Sequence, residues 1–180
     1  MAENVVFEAA HRFCMRWEGG FCNDKNDPGG ATKYGVSLRF LREEGYDIDG
    51  DGDIDVDDVR AVTPEDARRI FKKHFWPDDF ERLSHEHPRM AFAAYDTACN
   101  MGLGIAKRFV QRAVGTKDDG IWGPKTWAAI KETPDFLGVC NMLAFRRARY
   151  EYLVERNPKL RDFLRGWLNR VNALSVEVSK

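Results

Sequence analysis

The sequence predicts a mainly α-helical protein with one small β-hairpin near the N-terminus. Apolar residues recur at helical spacing, as in Phe7, Ala10, Cys14 and Trp17 near the start and Leu160, Leu164, Trp167, Leu168, Val171 and Leu174 near the end. Helix start signals precede several of these stripes, and Gly and Pro gather most densely between residues 19 and 36. At 180 residues and 43% hydrophobic content, the chain suffices for one compact domain, or one domain with a closely packed lobe.

A first helix is expected from about Asn4 to Trp17, ended by Gly19–Gly20. Residues 21 to 36, with Pro28 and further glycines, read as turns and a short hairpin. Ser37 can cap a helix running through Glu44. In TPEDARRIFKKHFW, Thr63 is an N-cap, Pro64 suits the first helical position and Asp66 sits where a capping-box acid would, with Pro77 closing the helix. The segment PRMAFAAYDTACNMG begins a helix near Pro88 that is apolar almost all round, hence central. Helices over 103–114, 124–132, 134–157 and 159–178 complete the set. No internal repeat and no low-complexity linker is visible.

Net charge is only −1, so general attraction to nucleic acid or to a membrane is not indicated. The charge is unevenly placed. Residues 43 to 66 hold eleven acids against one base, Arg60, whereas residues 140 to 180 hold nine Lys or Arg against four acids. The acidic stretch needs a counterion; the basic C-terminal face can meet an anionic partner. The opening MAENVVFEAAHRF has no basic leader region or apolar run of signal-peptide length, and no later run could span a bilayer. The expectation is a monomer made as a soluble cytosolic protein. Cys14, Cys22, Cys99 and Cys140 lack CxxC spacing and read as small buried thiols.

The segment DIDGDGDIDVDD, residues 47 to 58, matches the twelve-residue EF-hand pattern when begun at Asp47. That register puts Asp49 at position 3, Asp51 at 5, Gly52 at the tight-turn position 6 and Ile54 at 8. Calcium takes six to eight hard oxygens, which alternate carboxylates on a tight loop supply. Asp47, Asp49, Asp51 and Asp58 would offer carboxylates, Asp53 its backbone carbonyl, and Asp55 a bridging water. Aspartate at position 12, where EF-hands usually carry glutamate, resembles the calcium loops of dockerin modules. A structural Ca2+ is expected; the bland alternative is a solvated acidic turn.

RWEGGFCNDKNDPGGATKYGVS, residues 16 to 37, places Glu18 between Trp17 and two glycines. Packing against Trp17 and Phe21 would desolvate its carboxyl, and the end of the first helix would add a negative dipole. Both favour the protonated form that a general acid needs at a glycosidic oxygen. Asp27 can supply the second carboxylate that glycoside hydrolysis usually employs, with Asp24 as competitor, and Thr32 can position a water. Alternatively, Glu18 serves a turn and DPGG is merely a loop.

EGGF-x5-DPGGATKYGVS resembles the signature of glycoside hydrolase family 108, muramidases first described as secretion activators and found in phage endolysins. YDTACNMG, FVQRAVGTKDDGIWGPKTWAAI and FLRGWLNRV resemble the predicted peptidoglycan-binding region that accompanies it. Together these segments span most of residues 5 to 171. The resemblance implies a lysozyme-like helical fold and cleavage of the bond between N-acetylmuramic acid and N-acetylglucosamine in peptidoglycan glycan strands, with Glu18 as the acid. It implies a catalytic region over 1–86, including loop 47–58, and a peptidoglycan-binding helical region over 87–180, packed as one body. Action would be on the cell wall, in the periplasm, after release by a holin, an exporter or lysis. The order Glu18, Asp27, Thr32 also resembles the trio of phage-type lysozymes, although four residues separate Asp27 from Thr32 where five are usual. The calcium loop reads as an insertion in the family pattern. A lytic transglycosylase, which also uses one glutamate, and a non-catalytic calcium-dependent wall-binding or secretion-assisting module are the alternatives.

Asp96 and Asn100, four apart on one helix face, and Tyr95 beside them can line the saccharide cleft; core packing is the alternative. Trp122 and Trp127 read as buried, His85 and His87 as part of a polar loop without a third zinc ligand, and Arg146, Arg147, Arg149 and Arg156 as a solvated helix face.

Overall fold

The computed structural model describes residues 3–23 and 30–180. It is mainly helical with one two-stranded sheet, in the order α1 (Val5–Met15), β1 (Thr32–Lys33), β2 (Val36–Ser37), α2 (Leu38–Glu44), α3 (Val56–Ala61), α4 (Pro64–Phe75), α5 (Asp78–Glu86), α6 (Pro88–Met101), α7 (Leu103–Ala113), α8 (Pro124–Glu132), α9 (Asp135–Arg156), a 3-10 turn (Pro158–Leu160) and α10 (Arg161–Val178). The chain forms two compact units, His11–His74 and the remainder, Phe75–Lys180 with the residues up to Ala10. Helix α5 packs on α6 within the larger unit.

In the larger unit α6 is the core. Residues 90 to 98 are all buried, as an all-round apolar helix requires. Phe7 meets both Trp76 and Tyr95 edge-on at 5.4 Å. Helix α9 approaches α6 so closely at Gly138 that a Cβ there would fall 2.0 Å from Met90 Sδ. Asp135, in the first turn of α9, accepts hydrogen bonds from the Arg89 and Met90 amides at 3.0 and 2.9 Å and so satisfies the start of α6. Helices α7 and α10 complete the packing around α6 and α9.

In the smaller unit, local chemistry sets the elements. Ser37 Oγ accepts the Phe40 amide and starts α2. Thr63 and Asp66 hydrogen-bond each other's amides at the start of α4, the reciprocal capping box. Tyr34 and Gly35 have φ of 50° and 75°, so β1 and β2 join through a two-residue turn with both φ angles positive.

The structure corrects four expectations. Helix α1 ends at Met15, and the Arg16 and Trp17 amides close tighter turns onto Phe13 and Cys14. Residues 78 to 86 form α5 rather than a loop, with Phe80 and Leu83 buried, and Pro77 takes its N-cap position; His85 lies on this helix and His87 is buried at its end. Arg146 is wholly buried rather than solvated. Of the four thiols, Cys14 is buried, Cys99 half-buried, and Cys22 and Cys140 exposed.

Candidate functional site

Glu18 follows α1 and is half-buried. The residue after it is anchored, because the Tyr34 amide donates to the Gly19 carbonyl at 3.2 Å. Cys22 and Thr32 exchange both backbone hydrogen bonds at 2.8 Å, so residues 19 to 22 run as an additional edge to the hairpin. That pairing directs the carboxyl onto the hairpin turn. A Cβ on Gly35 would sit 3.1 Å from Glu18 Oε2 and 2.9 Å from Phe71 Cζ, so the carboxyl and this ring edge both border the space over a residue that has no side chain. Gly35 and Phe71 therefore stand beside the Glu18 carboxyl. Trp17 and Phe21 are 38% and 41% exposed, with Trp17 leaning on Phe13 and Phe21 lying beneath the Arg60 guanidinium.

Thr32 stands on β1, half-buried, its hydroxyl 3.5 Å from the Gly30 carbonyl. Asp27 and its competitor Asp24 lie outside the described residues.

The acidic loop begins after α2 and leads into α3. Asp47 accepts the Gly50 and Gly52 amides at 2.7 and 3.0 Å, which requires the tight turns that Gly50 and Gly52 make at φ of 79° and 99°. Asp58 is 1% exposed and ties the loop together: it accepts the Ile48 amide at 2.6 Å and the Asp55 amide at 2.7 Å, and with Asp55 forms the capping box of α3. Burial pushes the Asp58 carboxyl up, yet the amides of Asp55, Ile48 and Asp49 hold it below the usual carboxylate value. Carboxylates converge in two sets, Asp47 with Asp49 and Asp58, and Asp53 with Asp55 and Asp58, each within 4.8 Å. Asp51 belongs to neither set and accepts the Asp53 amide.

Tyr95 and Asp96, expected at a saccharide surface, are both 0% exposed, so neither can line a cleft. Asp96 instead accepts Arg170 at 2.8 and 3.0 Å through one oxygen and Arg146 through the other. Arg146 also donates to the Tyr150 hydroxyl at 3.3 Å, and that hydroxyl donates to Asn100. Asn100 is exposed, at the rim of the network. These residues hold α6, α9 and α10 together.

The sequence profile of the family described as Glycosyl hydrolase 108 matches residues 11–102, just over half of the chain. The chain belongs to the glycosyl hydrolase 108 family. A second profile, described as Predicted Peptidoglycan domain, matches residues 105–172. Among solved structures, the chain is similar to one titled "Structure of Brucella abortus SagA", with TM-score 0.76 and 25% identity over 96% of this chain and 93% of that one. No curated protein sequence matches the chain. The two profiles make this glycosyl hydrolase 108 member a peptidoglycan hydrolase with a mainly α, lysozyme-like fold. The first profile includes α6, whose packing partners α7, α9 and most of α10 fall in the second. The family's two segments thus share one core. Gly35 and Phe71 were not legible as parts of the glutamate site. The two-residue turn in TKYGVS was the available signal for the former, and nothing local marks the latter.

Proposed function

We propose that the protein is an N-acetylmuramidase that cleaves the β-1,4 bond between N-acetylmuramic acid and N-acetylglucosamine, with Glu18 protonating the leaving oxygen. The observation that carries this reading is the Glu18 carboxyl seated over Gly35, with the Phe71 edge bordering the same space, on a segment pinned to the hairpin, in a glycoside hydrolase. A glycosidic oxygen leaves only when it is protonated as the bond breaks, and one fixed carboxylic acid supplies that proton. Asp27, or Asp24 in its place, is the second carboxylate, which stabilises the oxocarbenium-like transition state or activates water, and Thr32 orients that water. The enzyme acts as a monomer on glycan strands of the wall, in the periplasm, after release by a holin, an exporter or lysis. Mass spectrometry of digested wall tests the bond and the reaction together. Muropeptides ending in reducing N-acetylmuramic acid are expected. Ends carrying 1,6-anhydromuramic acid would make the protein a lytic transglycosylase, and reducing N-acetylglucosamine would move the cleavage to the other bond.

We further propose that loop 47–58 holds a structural Ca2+. The donor set is entirely hard oxygen, as calcium prefers, and two groups of carboxylates share Asp58. The crowding is felt. Burial and the charges of Asp51, Asp58 and Asp47 push the Asp49 carboxyl up, and Asp53 is pushed up by Asp51 above all. A divalent cation would relieve both. Asp47, Asp49 and Asp58 would hold it, with Asp53 and Asp55 completing the shell and Asp51 contributing least. Chelation should lower the melting temperature, and calcium at about 100 times its Kd should restore roughly 5–10 °C. Asp49→Asn, on an exposed residue, should blunt that response. An identical melting curve with chelator and with saturating calcium would exclude specific binding.

A further inference from the structure

The turn under the Glu18 carboxyl is built from residues that do not favour it. Tyr34 is the one residue other than glycine with a positive φ among the described residues, at 50°. That backbone is uncommon for a bulky side chain, and turns of this kind are ordinarily made by Asn-Gly or Asp-Gly. A residue in such a conformation persists only where its surroundings fix it. The strands on either side are two residues long each, so they hold the turn weakly. It needs a hold from outside the hairpin.

Helix α3 supplies that hold. Lys33, on β1 next to the turn, donates through Nζ to the Arg60 carbonyl in the last turn of α3, and its ammonium lies 5.5 Å from the centre of the Tyr34 ring. The same helix reaches the segment after the acid. The Arg60 guanidinium lies 5.2 Å from the centre of the Phe21 ring and is itself held by Asp57 at 2.5 Å. Phe21 precedes Cys22, whose backbone pairs with Thr32. Both pieces of chain that flank Glu18, residues 19 to 22 and β1, are thus tied to one helix.

That helix is a firm base despite its six residues. Asp55 and Asp58 close its start as a capping box, and Val59 and Val62 are wholly buried. It also packs on β1. Both cations are already engaged within the protein, Lys33 by a carbonyl and a ring, Arg60 by a carboxylate and a ring. Each of these contacts is weak at an exposed position. A reacting acid, however, must be held to within a fraction of an ångström, so their loss acts on geometry before it acts on stability.

We propose that Lys33 and Arg60 are positioning residues for Glu18. Together they clamp the strained turn and residues 19 to 22 to α3, and so set where the carboxyl meets the glycosidic oxygen. The inference rests on Glu18 being the acid of the reaction, and it gives the helix that follows the acidic loop a part in catalysis.

The test compares wild type, Lys33→Met, Lys33→Arg and Arg60→Met by amide hydrogen exchange and by release of reducing ends from soluble, uncross-linked peptidoglycan strands. In Lys33→Met the Tyr34 and Thr32 amides should exchange faster than in wild type, while the buried Ala67 amide of α4 keeps its rate. Its kcat should fall about tenfold to a hundredfold with KM within about twofold, and its melting temperature should stay within about 4 °C of wild type. Lys33→Arg keeps a donor for the carbonyl and a cation for the ring, so it should recover most of kcat. Arg60→Met, at an exposed position, leaves the carbonyl in place and should speed exchange at Cys22 and lower kcat in the same way. Exchange and kcat like wild type in Arg60→Met would overturn the proposal even if Lys33→Met failed to fold. A raised KM at unchanged kcat would overturn it too, because the cations would then be binding substrate. The two readings fail separately: an inactive Glu18→Gln beside fully active Lys33→Met and Arg60→Met defeats the clamp alone. A fully active Glu18→Gln defeats the reading of Glu18 as the acid, whatever the exchange rates show.

Discussion

Asp96→Ala is expected to destabilise the folded chain by about 3–5 kcal/mol, the usual cost of removing one partner from a buried ion pair. Asp96 is 0% exposed and answers two guanidinium groups, Arg146 at 0% and Arg170 at 6%. Without it, two positive charges remain inside without the carboxylate they share. In the native protein, burial works against the charge of Arg146, and Asp96 holds it above its ordinary value all the same. At about 2–4 °C per kcal/mol for a chain of this length, the melting temperature should fall by roughly 6–20 °C. Burial pushes the Asp96 carboxyl up, but the charges and hydrogen bonds of Arg146 and Arg170 pull it further down, below its ordinary value. Its contribution is therefore whole above about pH 4, the unfolded value, and is lost as pH falls through the lower folded one. Urea unfolding of wild type and variant should show a gap that is constant near neutrality and narrows below about pH 4. Replacing all three residues by apolar ones of similar size should cost far less than Asp96→Ala, because no charge is then stranded. A loss under about 1 kcal/mol in Asp96→Ala would mean that the triad does not hold α6, α9 and α10 as described.

That triad also shows where the sequence stops being readable. Ser37, Thr63 with Asp66, and the all-apolar run from Met90 are local signals, and each produced the element it implied. In Arg146 a local reading fails: within FRRARY an arginine looks solvated, and only Asp96, fifty residues earlier, explains why it is inside. Helix α5 went unread for a related reason. DDFERLSHE offers only Phe80 and Leu83 as large apolar residues, and a proline before it can start a helix as well as stop one. The loop register was legible because a twelve-residue spacing is local. That Asp58 would cap α3 as well as face the carboxylates was not, since it needs the helix in place. At Glu18 the eye falls on the adjacent Trp17 and Phe21, whereas Gly35 in the hairpin turn and Phe71 on α4, which also stand beside its carboxyl, are distant in sequence.

Glu18→Gln should leave a folded chain with peptidoglycan hydrolysis reduced by about 10²–10⁴-fold, the range that a positioned general acid contributes. Glutamine keeps the shape that fits over Gly35, but its amide N–H is far too weakly acidic to protonate a leaving oxygen. A melting temperature near wild type beside lost release of reducing ends is thus the signature of chemistry rather than of folding. Gly35→Ala probes the same geometry from the other side. Its φ of 75° is one that L side chains rarely adopt, and the new methyl would press on Phe71 Cζ at 2.9 Å and on Glu18 Oε2 at 3.1 Å. Strain of about 1–3 kcal/mol is expected from the backbone, together with a displaced carboxyl and a fall in kcat larger than any change in KM. Glu18→Gln that releases reducing ends at the wild-type rate would leave the carboxyl without a catalytic role, whatever the family. A Gly35→Ala enzyme with wild-type kcat would show that the seat against the turn does not position the acid.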